Sequence, residues 1–193
     1  MKWPWQKPPK PDVADGISEA ALWCFNKHAD IVNGLIGRER LDQIPLENNL
    51  IAACETVCAY LHFVDRTLCD VAPRERQHRM DGLVVASVSI LSSLVERMGG
   101  VEKQEAHQLS HNQFLEIYDE RGKEYASVGN DWFKKVLLRY ATHLVQILNE
   151  HDPSFELIVD PDHVSFRMVM KAQEQFVHGF GDMMKEVPAL FKA

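Results

Sequence analysis

The segment that most constrains the fold of this chain is residues 46–70, LENNLIAACETVCAYLHFVDRTLCD. When successive residues are rotated by about 100°, as in an α-helix, its apolar residues fall on one side. That apolar stripe consists of Leu50, Cys54, Val57, Leu61, Val64 and Leu68. The spacing predicts one long amphipathic helix with this side buried, and the rest of the chain must pack around it.

Polar side chains border the apolar stripe of this helix. Cys58, His62, Asp65 and Cys69 lie next to it, and Glu55 and Arg66 lie just beyond them. An unpaired charge that is partly buried costs several kcal/mol, so these groups need partners. His62 can meet Asp65 or Arg66, which share its face. Glu55 lies about two helical turns away from His62 and needs a partner from another helix.

Five further helices are predicted. The first runs over 18–36, with Asp15 or Ser18 as its N-cap and Gly37 as its end. The others cover about 74–98, about 102–122, a segment that begins after residues 129–131, and a segment that opens at Asp160-Pro161. The prediction is an all-α, single-domain bundle of about six helices with short loops, over residues 15–193.

Residues 1–14 are predicted to form an extended tail, because their first part is rich in proline and basic. Trp3 and Trp5 stand among the prolines, and Pro8 and Pro11 have the spacing of a P-x-x-P motif. Such segments dock in aromatic grooves of other proteins, so both tryptophans are candidate interface residues. The alternative is a plain terminus whose tryptophans pack against the body of the protein.

Charge and cysteine content narrow the class of protein. The net charge is −7, which argues against binding nucleic acid or an anionic membrane surface. The longest apolar run, 83–95, is too short to span a bilayer. The four cysteines form no C-x-x-C pair, and three of them share the central helix, so we expect reduced thiols in a cytoplasmic protein.

A row of small residues lies along the third predicted helix. Gly82, Ala86, Ser89 and Ser93 follow one face. Small side chains let two helices approach closely. This candidate interface is either a homodimer seam or a tight contact within the bundle.

The residue types also suggest a metal site. His107 and His111 are four residues apart on one helical face, the spacing with which helical histidines bind zinc. His62 and Asp65 of the central helix are the predicted further ligands, with Glu55 nearby. Facing helices of a bundle commonly build such sites, so the candidate cofactor is a divalent metal ion, zinc or iron.

Other patterns of catalytic type are incomplete. A single Glu-x-x-His, Glu75 to His78, is half of a di-iron pattern. The His151-Asp152 doublet resembles that of helical metal-dependent phosphohydrolases, although Pro153 makes it typical of a turn. Cys58 and His62 are spaced as a thiol–imidazole pair. A small-molecule pocket is a further alternative, with Arg66 as its anion contact and aromatic walls from Tyr60, Phe63, Phe114 and Tyr118.

The sequence contains no G-x-S-x-G elbow, no phosphate-binding loop and no H-E-x-x-H motif. The leading hypothesis is therefore a protein-interaction or self-association module without catalysis. The alternative is a metal-binding enzyme or sensor that uses His107 and His111 with His62 and Asp65.

Overall fold

A computed structural model describes residues 12–37, 43–99, 102–129, 131–150, 152–158, 160 and 162–192. Within these ranges the chain folds into seven helices and contains no strand, which confirms the all-α prediction. The helices are α1 (Val13–Ile36), α2 (Leu46–Val71), α3 (Arg76–Gly99), α4 (Lys103–Ala126), α5 (Trp132–Asn149), α6 (Val164–Glu186) and α7 (Pro188–Phe191).

Helix α2 is the centre of the bundle. It is continuous, as its apolar pattern predicts, and it packs directly against α1, α3, α4, α5 and α7. Every side chain from Ala52 to Leu61 is buried, including the acidic Glu55. The row of polar residues beside the apolar stripe, from Glu55 to Cys69, is the polar shoulder of α2. The helix is enclosed on this shoulder as well as on its apolar stripe, because α4 and α5 cover the shoulder.

Two predicted helix starts are wrong. Helix α1 begins at Val13, where the Asp12 carboxylate accepts a hydrogen bond from the backbone N–H of Ala14 at 3.4 Å. Residues 13 and 14 therefore belong to this helix and not to the tail. Helix α6 begins at Val164, with His163 as its N-cap. Asp160 does not cap it, because its carboxylate accepts the N–H of Asp162 in the preceding turn.

Helix α3 lies at the side of the bundle, against α1, α2 and α4. Its segment Arg76–Arg97 is the one stretch of the described chain that is long and apolar enough, by length and composition, to cross a membrane. Less than half of its most apolar part is buried in the bundle. Core helices of soluble proteins meet the same criterion. The expectation of no membrane partner stays a prediction.

Candidate functional site

The polar shoulder of α2 holds a buried ion pair. Glu55 has only 1% of its surface exposed. Its carboxylate accepts hydrogen bonds from Nε of Arg121, at 2.7 Å to Oε1 and 2.8 Å to Oε2. Arg121 belongs to α4, so it is the partner from another helix that the sequence requires. The pair fixes α4 against the middle of α2.

Three further charged or polar groups complete this cluster. Glu124 accepts a hydrogen bond from Nη1 of Arg121 at 3.0 Å, and Arg139 lies 3.6 Å from the same carboxylate. His143 Nε2 lies 3.7 Å from Glu124 Oε1. Burial, and after it the charge of Arg121, lower the pKa of His143. Two carboxylates are thus balanced by two guanidinium groups, so the cluster is a neutral contact between helices with His143 uncharged.

Among the described residues, His62 forms no hydrogen bond or ion pair with Asp65 or Arg66, the partners that the sequence suggested. Its ring stacks on Tyr118, with centroids 4.9 Å apart, and meets the edge of Tyr125 at 5.1 Å. Its Nε2 atom is buried without a hydrogen-bond partner among the described residues. Burial lowers the pKa of His62, while the Tyr118 backbone and the Asp65 carboxylate oppose that shift. The imidazole is therefore neutral near neutral pH.

Asp65 forms an ion pair with a residue of a different helix. Arg76, at the start of α3, binds its carboxylate with two hydrogen bonds, each 2.7 Å long. This two-point geometry is the strongest form of a carboxylate–arginine contact. Asp65 therefore fixes α3 against the end of α2, and its charge is neutralised.

The proposed metal ligands do not come together. His107 and His111 are both exposed, with ring centroids 6.2 Å apart. His62 lies against Tyr118, which follows His107 by eleven residues, or about 16 Å along a helix. No group of three or more His, Cys, Asp or Glu in the described chain is placed to hold a metal ion. The predicted ligand set is thus not assembled, and binding of zinc or iron stays a prediction without a site.

A small cavity of about 280 Å³ lies between the end of α2, the second half of α4 and the start of α5. We call it the His62 pocket. It is lined by His62, Asp65, Arg66, Tyr118, Gly122, Tyr125, Ala126 and Trp132. Tyr125 is 1% exposed, and its hydroxyl oxygen is buried without a partner among the described residues.

Most of the aromatic residues that were predicted to line a pocket lie outside the His62 pocket. Tyr118 and Arg66 do line the His62 pocket, but Tyr60, Phe63 and Phe114 are buried core residues outside its lining. Gly122 and Tyr125 were not among the residues predicted from the sequence to line a pocket. Their spacing from Tyr118, at i+4 and i+7, places them on its helical face and was the available signal.

The remaining catalytic patterns have structural partners or fall outside the described chain. Glu75 forms an ion pair with Arg79 of α3. The Asp152 carboxylate accepts hydrogen bonds from the backbone and the hydroxyl of Ser154, and its doublet partner His151 is not described. Burial raises the pKa of the Cys58 thiol, which keeps it from acting as a thiolate.

The row of small residues on α3 is divided between two environments. Gly82 packs against Ile17 of α1 so closely that an added Cβ would lie 3.0 Å from its Cδ1 atom. Ala86 is partly buried against the core, whereas Ser89 and Ser93 are exposed. The first half of the row is thus a contact within the bundle. Trp3 and Trp5, the other candidate interface residues, lie outside the described residues.

Helix α6 carries two parallel apolar rows, and only one of them faces the core. Val169, Phe176 and Met183 are buried. The residue after each of them is exposed: Met170 by 47%, Val177 by 37% and Met184 by 41%. We call Met170, Val177 and Met184 the outer stripe of α6. The apolar residues of this helix are evident in the sequence, but the outer stripe was not predicted from them.

Comparison with known proteins gives no guide to the function of this chain. No protein-family model, curated protein or solved structure matches this chain. Function is therefore inferred from two features of the described residues, the outer stripe of α6 and the His62 pocket.

Proposed function

We propose that this chain is a self-association module that pairs with a second copy of itself through the outer stripe of α6, without catalysis of its own. The observation that supports this proposal is the regular spacing of exposed apolar side chains at positions 170, 177 and 184. Single exposed apolar residues are normal on protein surfaces, but exposed apolar residues that recur along one face of a helix favour an interaction surface. Methionine is also enriched at interfaces, where its flexible side chain adapts to a partner.

The spacing favours a second copy over an unrelated partner. Met170 and Met184 each lie seven residues, about 10.5 Å, from Val177. A two-fold axis through Val177 therefore places Met170 of one copy against Met184 of the other. Most homodimers have this self-complementary geometry. A seven-residue repeat is also the spacing with which two helices pack side by side at a small crossing angle.

Phe133 is a further exposed apolar residue near α6. It is 47% exposed at the start of α5. Its ring lies 5.1 Å from that of Phe63, which in turn lies 5.5 Å from that of Phe180 in the second half of α6. Stable interfaces bury about 800 Å² per partner, more than the three side chains of the outer stripe supply. The proposed interface is therefore modest, so we expect a dissociation constant in the micromolar range.

The state of the cysteines supports a reducing compartment. All four are free, and three of them are buried. Free thiols persist in a reducing environment. We therefore propose that the self-association module works in the cytoplasm.

Sedimentation velocity over roughly 1 to 200 µM protein tests this proposal, because that range brackets micromolar association. We expect the mass to rise from 22.1 kDa towards twice that value. Val177→Glu introduces a charge on the proposed axis and should keep the chain monomeric at every concentration. Val85→Glu is the matched control, since Val85 is a 69% exposed helical valine on α3.

The two variants also separate the α6 surface from the exposed part of the α3 row. If Val85→Glu abolishes association and Val177→Glu does not, the interface lies on α3 and the α6 proposal is wrong. If the chain stays monomeric throughout the concentration range, the self-association proposal is wrong. A matching series without residues 1–11, which keeps the Asp12 cap of α1, measures what Trp3 and Trp5 contribute.

A further inference from the structure

We propose that the His62 pocket is a binding site for a small organic anion that carries a planar ring. This site is separate from the outer stripe of α6, and nothing in the self-association proposal depends on it. The pocket has a volume of about 280 Å³, at the lower end of the range for small-molecule sites. That volume suits a molecule with a single ring.

Two residues that line the pocket each have a buried polar atom without a partner. The Tyr125 hydroxyl oxygen and the His62 Nε2 atom are both buried, and neither forms a hydrogen bond with a described residue. Buried polar atoms in native proteins are nearly always paired with protein, ordered water or a ligand. Two such atoms in residues that line one cavity therefore favour a polar occupant.

The protonation state of Tyr125 suits an anion. Burial is the largest influence on both side chains: it raises the pKa of Tyr125 and lowers the pKa of His62. Near neutral pH the tyrosine hydroxyl thus keeps its proton and can donate one hydrogen bond to an oxygen of a carboxylate or phosphate. The neutral imidazole of His62 has one ring N–H, which the Tyr118 backbone carbonyl accepts, so His62 contributes its aromatic ring to the pocket.

The charge of the pocket rim also favours an anion. Arg66 is exposed at the rim, and no described residue forms an ion pair or hydrogen bond with it. The acid beside it, Asp65, is already neutralised by Arg76. The pocket therefore has one uncompensated positive charge, in a chain whose net charge is −7.

Aromatic rings form the apolar part of the wall. His62 and Tyr118 are stacked with an angle of only 7° between their planes, and Trp132 lies on the α5 side of the pocket. Flat, parallel rings of this kind provide a surface on which another planar ring can stack. The shape and the charge thus suggest the same class of ligand, a ring that bears a carboxylate or a phosphate.

Titration with benzoate and phenyl phosphate, followed by protein-observed NMR, tests the site. Benzamide, which matches benzoate in shape but has no charge, is the control ligand. We expect at least one of the two anions to bind with a dissociation constant of about 1 mM or tighter and benzamide to bind at least about tenfold more weakly. The resonances that shift should belong to His62, Tyr118 and Trp132.

Three variants connect the binding to named residues. Arg66→Gln should weaken binding of the better anion about tenfold, because it removes the free charge. Arg74→Gln, an exposed arginine outside the pocket, should change it by less than about twofold. Tyr125→Phe should weaken binding at least about threefold, because it removes one hydrogen-bond donor. All titrations are repeated on the Val177→Glu protein, so the result does not depend on self-association.

Several outcomes would overturn the assignment. These are the absence of saturation by either anion up to about 20 mM, equal binding of benzamide, and unchanged anion affinity in Arg66→Gln. A crystal structure grown in benzoate that shows only an ordered water between His62 and Tyr125 would also overturn it, since water alone can pair such atoms.

Discussion

At the scale of single residues, the buried charge of Glu55 has the clearest structural consequence. The sequence predicted that this carboxylate needs a partner from another helix, because its position on α2 borders the apolar stripe. It did not identify Arg121, since the choice of partner depends on which helix covers that side of α2. The ion pair now explains why α4 lies across the middle of the central helix.

Replacement of Arg121 by glutamine should destabilise the fold strongly. The Glu55 carboxylate would stay buried without its partner, and breaking a buried pair in this way costs about 3 to 5 kcal/mol. Urea unfolding measures the loss. Lys123→Gln is the control on the same helix, because Lys123 and Asp119 form an exposed pair and its removal should leave the midpoint almost unchanged. Equal midpoints for the two variants would show that the Glu55 pair is not important for stability.

Buried His28 should make the stability depend on pH. Burial lowers the pKa of His28 from 6.5 to about 4, and its ring nitrogens lie 3.0 Å from the Thr56 hydroxyl and 3.4 Å from the Asn49 side-chain oxygen. Between these two pKa values the unfolded chain binds more protons, so the free energy of unfolding falls as the pH falls. His28 should contribute a loss of about 2 kcal/mol between about pH 7 and about pH 5.

Unfolding in urea at the two pH values checks this effect. His28→Gln should flatten the pH dependence by that amount, whatever its effect on stability at pH 7. His178→Gln alters an exposed histidine on α6 and should leave the pH dependence as it is. A His28→Gln protein with the full pH dependence would show that other groups cause it, such as His62 and His143, whose pKa values burial also lowers.

At the scale of helices, apolar periodicity predicted which segments are helical but not where they end. The predicted fourth helix ended near Gly122. In the structure α4 continues to Ala126, and Gly122 lies inside it against His62, whose Cε1 atom would be 3.3 Å from an added Cβ. Tyr125 thus fell outside the predicted helix, and its place on the same face as Tyr118 was missed.

The α3 row gives a prediction at the same scale. Gly82→Leu should lower the free energy of unfolding by about 1 to 3 kcal/mol, because the new side chain must displace Ile17 of α1. Ser89→Leu, seven residues along the same row, should change it by less than about 0.5 kcal/mol, since Ser89 is exposed. Thermal unfolding distinguishes the two. A large loss for Ser89→Leu, or none for Gly82→Leu, would contradict the division of this row.

At the scale of the whole molecule, the sequence predicted the all-α class and the central place of α2, and the structure agrees with both. It did not show which surfaces stay open. Helix α6 has apolar residues in adjacent pairs, such as Phe176 and Val177, and periodicity alone does not tell which member of a pair faces the core. Packing of α6 against α1 and α5 decides this, and it leaves the outer stripe exposed.

Disulfide cross-linking of Val177→Cys is the most direct test of the self-association proposal. A two-fold axis at this position brings the two new thiols within the roughly 4 to 7 Å between Cα atoms that a disulfide requires. Mild oxidation should therefore convert the variant into a covalent dimer of twice 22.1 kDa. The control Val85→Cys, like the unaltered chain with its four free cysteines, should give little covalent dimer on a denaturing gel without reductant. Cross-linking of Val177→Cys that does not exceed that of Val85→Cys would contradict pairing through the outer stripe of α6.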